Sequence, residues 1–162
     1  MDKDKGNKEL VRNIPWFRQI QDLDGRVWVF QNESLTAVQR KAHTVPVTIA
    51  LISCRYPEKL EEGKGDPMYL GLKEPERCLF CIKDGEKPML QLKTGSVMKL
   101  HDQEDVVKPF VFYHNKSGTT SSFESAAFPG WFIAIYANGA SPVFLSQELG
   151  KTHITDFWMT MV

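Results

Sequence analysis

The stretch Val-Trp-Val-Phe-Gln-Asn-Glu-Ser-Leu-Thr-Ala, residues 27–37, reads as two short apolar strands joined by a tight polar turn. The same pattern returns at residues 78–92, from Cys-Leu-Phe-Cys to Pro-Met-Leu-Gln-Leu, and at residues 131–145, from Trp-Phe-Ile-Ala to Pro-Val-Phe-Leu. Leu35, Leu90 and Phe144 occupy corresponding positions, 55 and 54 residues apart. A hairpin that recurs at a fixed interval predicts a fold with threefold internal repetition.

Outside these hairpins the chain continues as short apolar runs with period-two alternation, which is typical of half-buried strands. Twelve strands in three groups of four indicate an all-β fold, a β-trefoil, whose closed barrel leaves few free edges. Helical signals are confined to residues 56–62 and 96–101. The predicted strands are 18–23, 26–31, 34–39, 46–53, 68–73, 77–83, 88–93, 109–115, 121–126, 131–136, 142–147 and 155–161.

The size, charge and apolar content of the chain exclude several classes of protein. The 162 residues fit one domain, and 42% of them are hydrophobic, which is enough for a core. The 20 basic residues balance the 20 acidic ones, so binding to nucleic acid is disfavoured. The chain contains no run of about 18 apolar residues, so we expect no membrane insertion. The charged first residues lack the apolar segment of a signal peptide, so synthesis in the cytoplasm is expected.

Three cysteines are too few for a disulfide framework, and we expect Cys54, Cys78 and Cys81 to be free. Residues three apart on a strand point to opposite faces, so the Cys78 and Cys81 sulfurs should diverge rather than share a metal or a redox reaction.

The four histidines also lack the spacing of a metal site, and we expect them at the surface or at strand edges. No nucleophile elbow, phosphate loop or carboxylate pair with a shifted pKa is recognisable. We therefore expect no metal, no cofactor and no enzymatic activity. The histidines are His43, His101, His114 and His153.

A motif beginning Phe-Glu-Ser-Ala-Ala-Phe-Pro-Gly-Trp, residues 123–131, resembles the signature of the interleukin-1 cytokine family. Further segments are similar to the interleukin-36 branch of that family, and together they cover nearly the whole chain. The resemblance independently implies a β-trefoil. The residues that fit the signature are Phe123, Ser125, Ala126, Pro129, Phe132, Ile133 and Ala134, and the further segments include 26–29, 46–54, 69–72, 78–81, 90–93, 112–114 and 147–151.

The resemblance implies activation by N-terminal trimming. In the family an aliphatic-x-Asp motif opens the trefoil, and the active chain starts nine residues before that motif. Ile20-Gln21-Asp22 fits the motif, and counting back nine residues from Ile20 reaches Val11. We therefore expect residues 1–10 to be a disordered propeptide, removed by a processing protease between Leu10 and Val11, and residues 11–162 to be the cytokine domain.

The resemblance also implies partners and a location. An agonist of this branch binds the interleukin-36 receptor, recruits the shared interleukin-1 receptor accessory protein and activates NF-kappa-B and MAP kinase signalling. It acts as a monomer, outside the cell, after unconventional secretion. A receptor antagonist on the same scaffold is the alternative. The candidate receptor-binding residues, chosen from exposed loops, are Tyr56, Lys59, His101 and His153.

Other trefoil proteins fit the sequence less well. A trefoil lectin would carry Gln-x-Trp in each repeat, and a heparin-dependent growth factor would carry a basic excess. A trefoil protease inhibitor would have more cysteines. None of these patterns occurs in the chain.

Overall fold

A computed structural model describes residues 14–148 and 152–162, which form short β-strands around one interior. A single short α-helix, α1 (Val97–His101), and two 3₁₀ turns, Pro57–Lys59 and Lys108–Phe110, complete this part of the chain. The strands are β1 (Trp16–Gln21), β2 (Arg26–Gln31), β3 (Ser34–Gln39), β4 (Ile49–Ser53), β5 (Asp66–Leu72), β6 (Arg77–Asp84), β7 (Lys87–Thr94), β8 (Val111–Ser117), β9 (Thr120–Ser125), β10 (Phe132–Tyr136), β11 (Ser141–Pro142), β12 (Phe144–Ser146), β13 (His153–Ile154) and β14 (Trp158–Met161).

The strands pair antiparallel around a barrel in the order β14, β1, β4, β5, β8 and β9. The barrel closes at Ser121 and Phe157, whose backbone N–H and C=O groups exchange hydrogen bonds of 2.7 and 2.9 Å. Closure satisfies backbone groups that an open sheet would leave at its edges. The predicted β-trefoil is therefore confirmed.

The three repeated stretches form the three hairpins that the repeat predicts. They pair Trp28 with Ala37 in β2–β3, Leu79 with Leu92 in β6–β7, and Ile133 with Leu145 in β10–β12. The first hairpin turns at Asn32 and Glu33, which have φ values of 51° and 59°. These left-handed values match the twist of a two-residue hairpin.

The main core lies inside the barrel and draws on all three repeats. The Trp28 and Phe157 rings meet edge to face with centroids 5.3 Å apart, and both side chains are fully buried. Each buried aromatic side chain of this kind contributes roughly 1.5–3 kcal/mol through the hydrophobic effect. The core thus joins the first hairpin to the strand that closes the barrel.

A second apolar cluster lies outside the barrel, under the connections that follow β4 and α1. It contains Ile52, Cys54, Tyr69, Val111 and Tyr113, together with Val97 and Leu100 of α1. This cluster supports the surface loops described below.

The structure corrects several details of the predicted elements. Fourteen strand segments are present among the described residues, because predicted strand 142–147 divides into β11 and β12 and because β13 is an additional two-residue pairing. The predicted helix at 56–62 shrinks to the 3₁₀ turn Pro57–Lys59. Predicted strand 46–53 starts only at Ile49, since the Val47 N–H donates to the Trp28 carbonyl instead of to a barrel strand. None of the helices in the described part of the chain is long and apolar enough to cross a membrane.

Candidate functional site

The Ile20-Gln21-Asp22 motif lies at the end of β1, and both of its outer side chains are fully buried. Ile20 packs in the main core. The Asp22 carboxylate accepts hydrogen bonds from the backbone N–H groups of Asp24 and Arg26, at 3.1 and 2.7 Å, and so closes the tight turn after β1. The motif is therefore a fixed structural point at the start of the trefoil.

Arg26 connects the turn after β1 to the third repeat. Its guanidinium pairs with Asp22, with 2.6 Å between Nη2 and Oδ2. It also donates to the backbone carbonyls of Tyr136, Gly139 and Ala137 at 2.8, 2.7 and 3.2 Å. A buried charge is tolerated when it is paired and its remaining donors are satisfied. The turn after β1 and the turn after β10 are thus held together.

The predicted cleavage between Leu10 and Val11 lies outside the described residues, so it stays a prediction. The first described residue, Ile14, is 60% exposed, and Trp16 at the start of β1 is 52% exposed. The chain therefore enters the trefoil at the surface.

Two of the predicted receptor-binding residues, Tyr56 and Lys59, lie together on one loop. The Lys59 ammonium is 4.9 Å from the centre of the Tyr56 ring, and the Arg55 guanidinium is 5.4 Å from the same ring. Cation–π contacts of this geometry favour one orientation of the ring. The loop therefore presents an aromatic side chain with two cations in contact with its ring.

A second loop lies against the first. Lys59 Nζ forms an exposed ion pair with Asp105 Oδ1 at 2.9 Å, and Arg55 donates to the Asp102 carbonyl at 3.4 Å. We call residues 54–65 and 102–107 the loop pair. The hydrogen bond from Lys59 lowers the pKa of Asp105, and the same bond raises the pKa of Lys59, so both remain charged near neutral pH.

Asp105 was not foreseeable as a site residue. The adjacent carboxylates Glu104 and Asp105 look merely solvated in the sequence, and the partner Lys59 is 46 positions away. The sequence indicated only that both segments are exposed loops. The structure adds that they meet.

His101, also predicted to bind a receptor, ends α1 beside the loop pair but is buried, with 5% of its surface exposed. Its Nδ1 lies 2.9 Å from the backbone oxygen of Ser53, at the end of β4. The side chain thus anchors α1 to the barrel and presents little surface. Its part in receptor contact stays a prediction.

His153 lies elsewhere, in β13, and is not brought together with the other three residues. Its ring touches Tyr136 and Phe144, with centroids 5.2 and 5.0 Å away, and its Nδ1 lies 2.6 Å from Ser146 Oγ. Tyr136 is 48% exposed. His153 therefore belongs to a separate half-buried aromatic group.

The remaining two histidines differ in exposure. His43 is exposed as expected, but His114 is buried, with Nε2 2.7 Å from Ser121 Oγ and the ring stacked on Phe123. The expectation that the histidines lie at the surface or at strand edges is therefore wrong for His101 and His114, which are 5% and 7% exposed because their rings bond inside the protein to Ser53 and Ser121. Burial lowers the pKa of His114.

All three cysteines are free and buried. Cys78 belongs to the outer cluster and Cys81 to the main core, so their side chains diverge as predicted. Burial raises the pKa of Cys54 to about 12 and those of Cys78 and Cys81 to about 11. Thiols with such pKa values are poor nucleophiles. Within residues 14–148 and 152–162, no group of three or more His, Cys, Asp or Glu side chains is arranged to hold a metal ion.

Comparison with known proteins gives concordant matches. Residues 40–159 match the family model described as Interleukin-1 / 18. Interleukin-36 alpha of Mus musculus is 56% identical over 155 residues, which cover 96% of this chain and 97% of the relative. Interleukin-36 alpha of Homo sapiens is 52% identical over 155 residues, covering 96% and 98%. A solved NMR structure of the pro-inflammatory cytokine interleukin-36 alpha superposes with a TM-score of 0.80 at 53% identity, covering 93% of this chain and 95% of that one.

Proposed function

Because the chain belongs to the interleukin-1 family of cytokines, we propose that it is a pro-inflammatory agonist that binds the interleukin-36 receptor and recruits the interleukin-1 receptor accessory protein. The resemblance to the interleukin-36 branch, with motifs most like those of its alpha member, is confirmed by the relatives. The chain is a signalling protein and not an enzyme. The downstream result of its binding would be activation of NF-kappa-B and MAP kinase signalling.

The observation that carries the proposal is identity above 50% over almost the full length of two interleukin-36 alpha proteins. Because this identity is spread along the chain, it includes residues outside the core that every trefoil needs. The matching solved structure is described as a pro-inflammatory cytokine, which favours the agonist over the antagonist.

The loop pair is the surface that we assign to receptor contact. It offers the Tyr56 ring, flanked by Arg55 and Lys59, on a rigid β-scaffold. Aromatic and arginine side chains are the residues that most often dominate protein interfaces. A standard interface buries about 800 Å² per partner, so residues beyond the loop pair would also take part, His153 among them.

Activation would follow removal of residues 1–10, which makes Val11 the new N-terminus. The Asp22 carboxylate is buried and bonded to Arg26. The Ile20-Gln21-Asp22 motif therefore has a fixed position in the fold, from which the nine residues back to Val11 are counted. Any segment added before Val11 has to be accommodated next to the receptor, and ordering or displacing it would cost binding free energy.

We place the site of action outside the cell, after cytoplasmic synthesis and unconventional secretion. The three free, buried thiols suit folding in a reducing compartment. Their high pKa values would also slow oxidation after release.

The proposal is tested by mixing the chain, started at Met1 or at Val11, with the purified ectodomains of both receptor subunits and measuring complex size by light scattering. An agonist should form a one-to-one-to-one complex with both subunits. A complex with the interleukin-36 receptor that excludes the accessory protein would identify an antagonist. If neither form of the chain bound the receptor, the receptor assignment would be wrong.

A further inference from the structure

Two buried tyrosines lie under the loop pair. Tyr69 of β5 is 2% exposed and Tyr113 of β8 is 3% exposed. In the antiparallel register of β5 and β8, Tyr69 faces Val111 and Pro67 faces Tyr113. The two rings are therefore diagonal neighbours on one face of the ladder, and both pack in the outer apolar cluster.

Each tyrosine hydroxyl accepts a hydrogen bond from the backbone of a different loop. The Val107 N–H donates to the Tyr69 hydroxyl at 3.1 Å, and Val107 ends the loop 102–107. The Glu61 N–H donates to the Tyr113 hydroxyl, also at 3.1 Å, in the middle of the loop 54–65. One face of the barrel thus holds both members of the loop pair from below.

Tyr69 also interacts with the side chain of Cys54, at the start of the first loop. Burial raises the pKa of Tyr69, so this hydroxyl keeps its proton at physiological pH. On the outer side, the Lys59–Asp105 ion pair joins the same two loops. The loops are therefore connected above by charge and below by two phenols.

Packing alone does not require these hydroxyls. A phenylalanine ring would fill the same apolar space, and a buried hydroxyl is unfavourable unless it is hydrogen-bonded. Here both hydroxyls satisfy backbone N–H groups of exposed loops instead of groups in the barrel. A loop that is already fixed loses less conformational entropy when a partner binds it.

We propose that Tyr69 and Tyr113 are positioning residues for receptor binding, whose hydroxyls hold the loop pair in the conformation that the receptor recognises. This inference rests on the proposed function and adds residues that the receptor never touches. Their hydroxyls hold the backbone at Val107 and Glu61, and this orients the exposed side chains of Tyr56 and Lys59 for the receptor.

The test uses Tyr69→Phe and Tyr113→Phe, each made in the full chain and in the chain that starts at Val11. The matched control is Ile133→Val, which weakens the main core without touching the loops. Three quantities are measured: amide hydrogen exchange by NMR, the melting temperature, and affinity for the interleukin-36 receptor ectodomain. We expect exchange to rise roughly tenfold at Val107 in the first variant and at Glu61 in the second. Affinity should fall about three- to tenfold in each.

The control separates positioning from general stability. Ile133→Val should lower the melting temperature at least as much as either tyrosine variant and leave receptor affinity unchanged. If the tyrosine variants bound like the unsubstituted chain, or if exchange at Val107 and Glu61 did not rise, the inference would be overturned while the proposed function stood. If the unsubstituted chain itself failed to bind, the proposed function would fall and this inference with it.

Discussion

Asp22 and Arg26 form a completely buried ion pair, with 2.6 Å between the carboxylate and the guanidinium, in the turn that follows the first strand. Arg26 Nε also donates to the Asp22 carboxylate at 2.8 Å, and the two Nη atoms donate to the carbonyls of Tyr136, Ala137 and Gly139, at the end of β10 and in the turn after it. The pair therefore links the motif that opens the trefoil to the third repeat, more than 100 residues away along the chain.

Replacing Arg26 should destabilise the fold strongly. Arg26→Met leaves the Asp22 carboxylate buried without its counterion, and we expect the free energy of unfolding to fall by about 3–5 kcal/mol. Urea denaturation measures it. Arg77→Met is the control, because Arg77 forms a surface pair with Glu33 at 3.0 Å. That pair should contribute about 0–1 kcal/mol. Equal losses in the two variants would contradict this account of Arg26.

Stability should depend on pH through His114. Burial lowers the pKa of His114 in the folded protein, whereas the unfolded chain titrates near 6.5. Below about pH 6.5 the unfolded state therefore binds a proton that the folded state does not, and the free energy of unfolding falls as the pH drops. The fall ends below the lowered pKa of the folded state.

Urea midpoints measured between pH 7.5 and pH 5 would show this loss, and His114→Gln should flatten it. His43→Gln is the matched control, since His43 is exposed. A pH slope that is the same in His114→Gln as in the parent chain would rule out His114 as its source.

The thiols should be unreactive until the protein unfolds. Their pKa values of about 11 to 12 lie at least two pH units above those of exposed thiols. The thiolate fraction at pH 8 is therefore at least about a hundredfold smaller, before any steric protection. Iodoacetamide labelling followed by mass spectrometry should modify Cys54, Cys78 and Cys81 quickly in urea and very slowly in the native protein. Rapid native labelling of any one of them would show that its pocket opens.

The exposed side of the loop pair should contribute to receptor affinity more than to stability. Tyr56→Ala removes the ring that Arg55 and Lys59 flank, and we expect at least a tenfold loss of affinity, or about 1.4 kcal/mol. The melting temperature should hardly change because Tyr56 lies outside both apolar clusters. Surface plasmon resonance with the receptor ectodomain measures the loss, with Lys83→Ala on hairpin β6–β7 as the control. Unchanged affinity in Tyr56→Ala would move the contact surface elsewhere.

Much of the fold could be predicted because its signals are local. The alternation of apolar residues and a tight polar turn, Asn-Glu in the first hairpin, Asp-Gly in the second and Asn-Gly in the third, define each hairpin within about fifteen residues. The equal spacing of Leu35, Leu90 and Phe144 then gives the threefold arrangement. Errors occurred where tertiary contacts prevail. Residues 46–48 look like a strand, yet Val47 bonds to Trp28, and the charged segment after Tyr56 forms only one 3₁₀ turn.

The site was less predictable because its contacts join distant segments. Tyr56 and Lys59 could be chosen as exposed loop residues. The ion pair between Lys59 and Asp105, however, depends on the tertiary fold, which brings their two loops together. The buried roles of His101 and of the tyrosine hydroxyls leave no periodic signal, since a histidine at a helix end or a tyrosine on a strand looks the same in the sequence whether its polar atom contacts water or protein.

The most direct test of the central claim compares two forms of the chain, one starting at Met1 and one starting at Val11. Both are applied to cells that carry the interleukin-36 receptor and the accessory protein, with an NF-kappa-B reporter. We expect the Val11 form to signal at far lower concentration, and a form starting at Arg12 to lose that gain. If both the Met1 and Val11 forms were silent and blocked a known agonist, the protein would be an antagonist, and the account of it as a trimmed agonist would be contradicted.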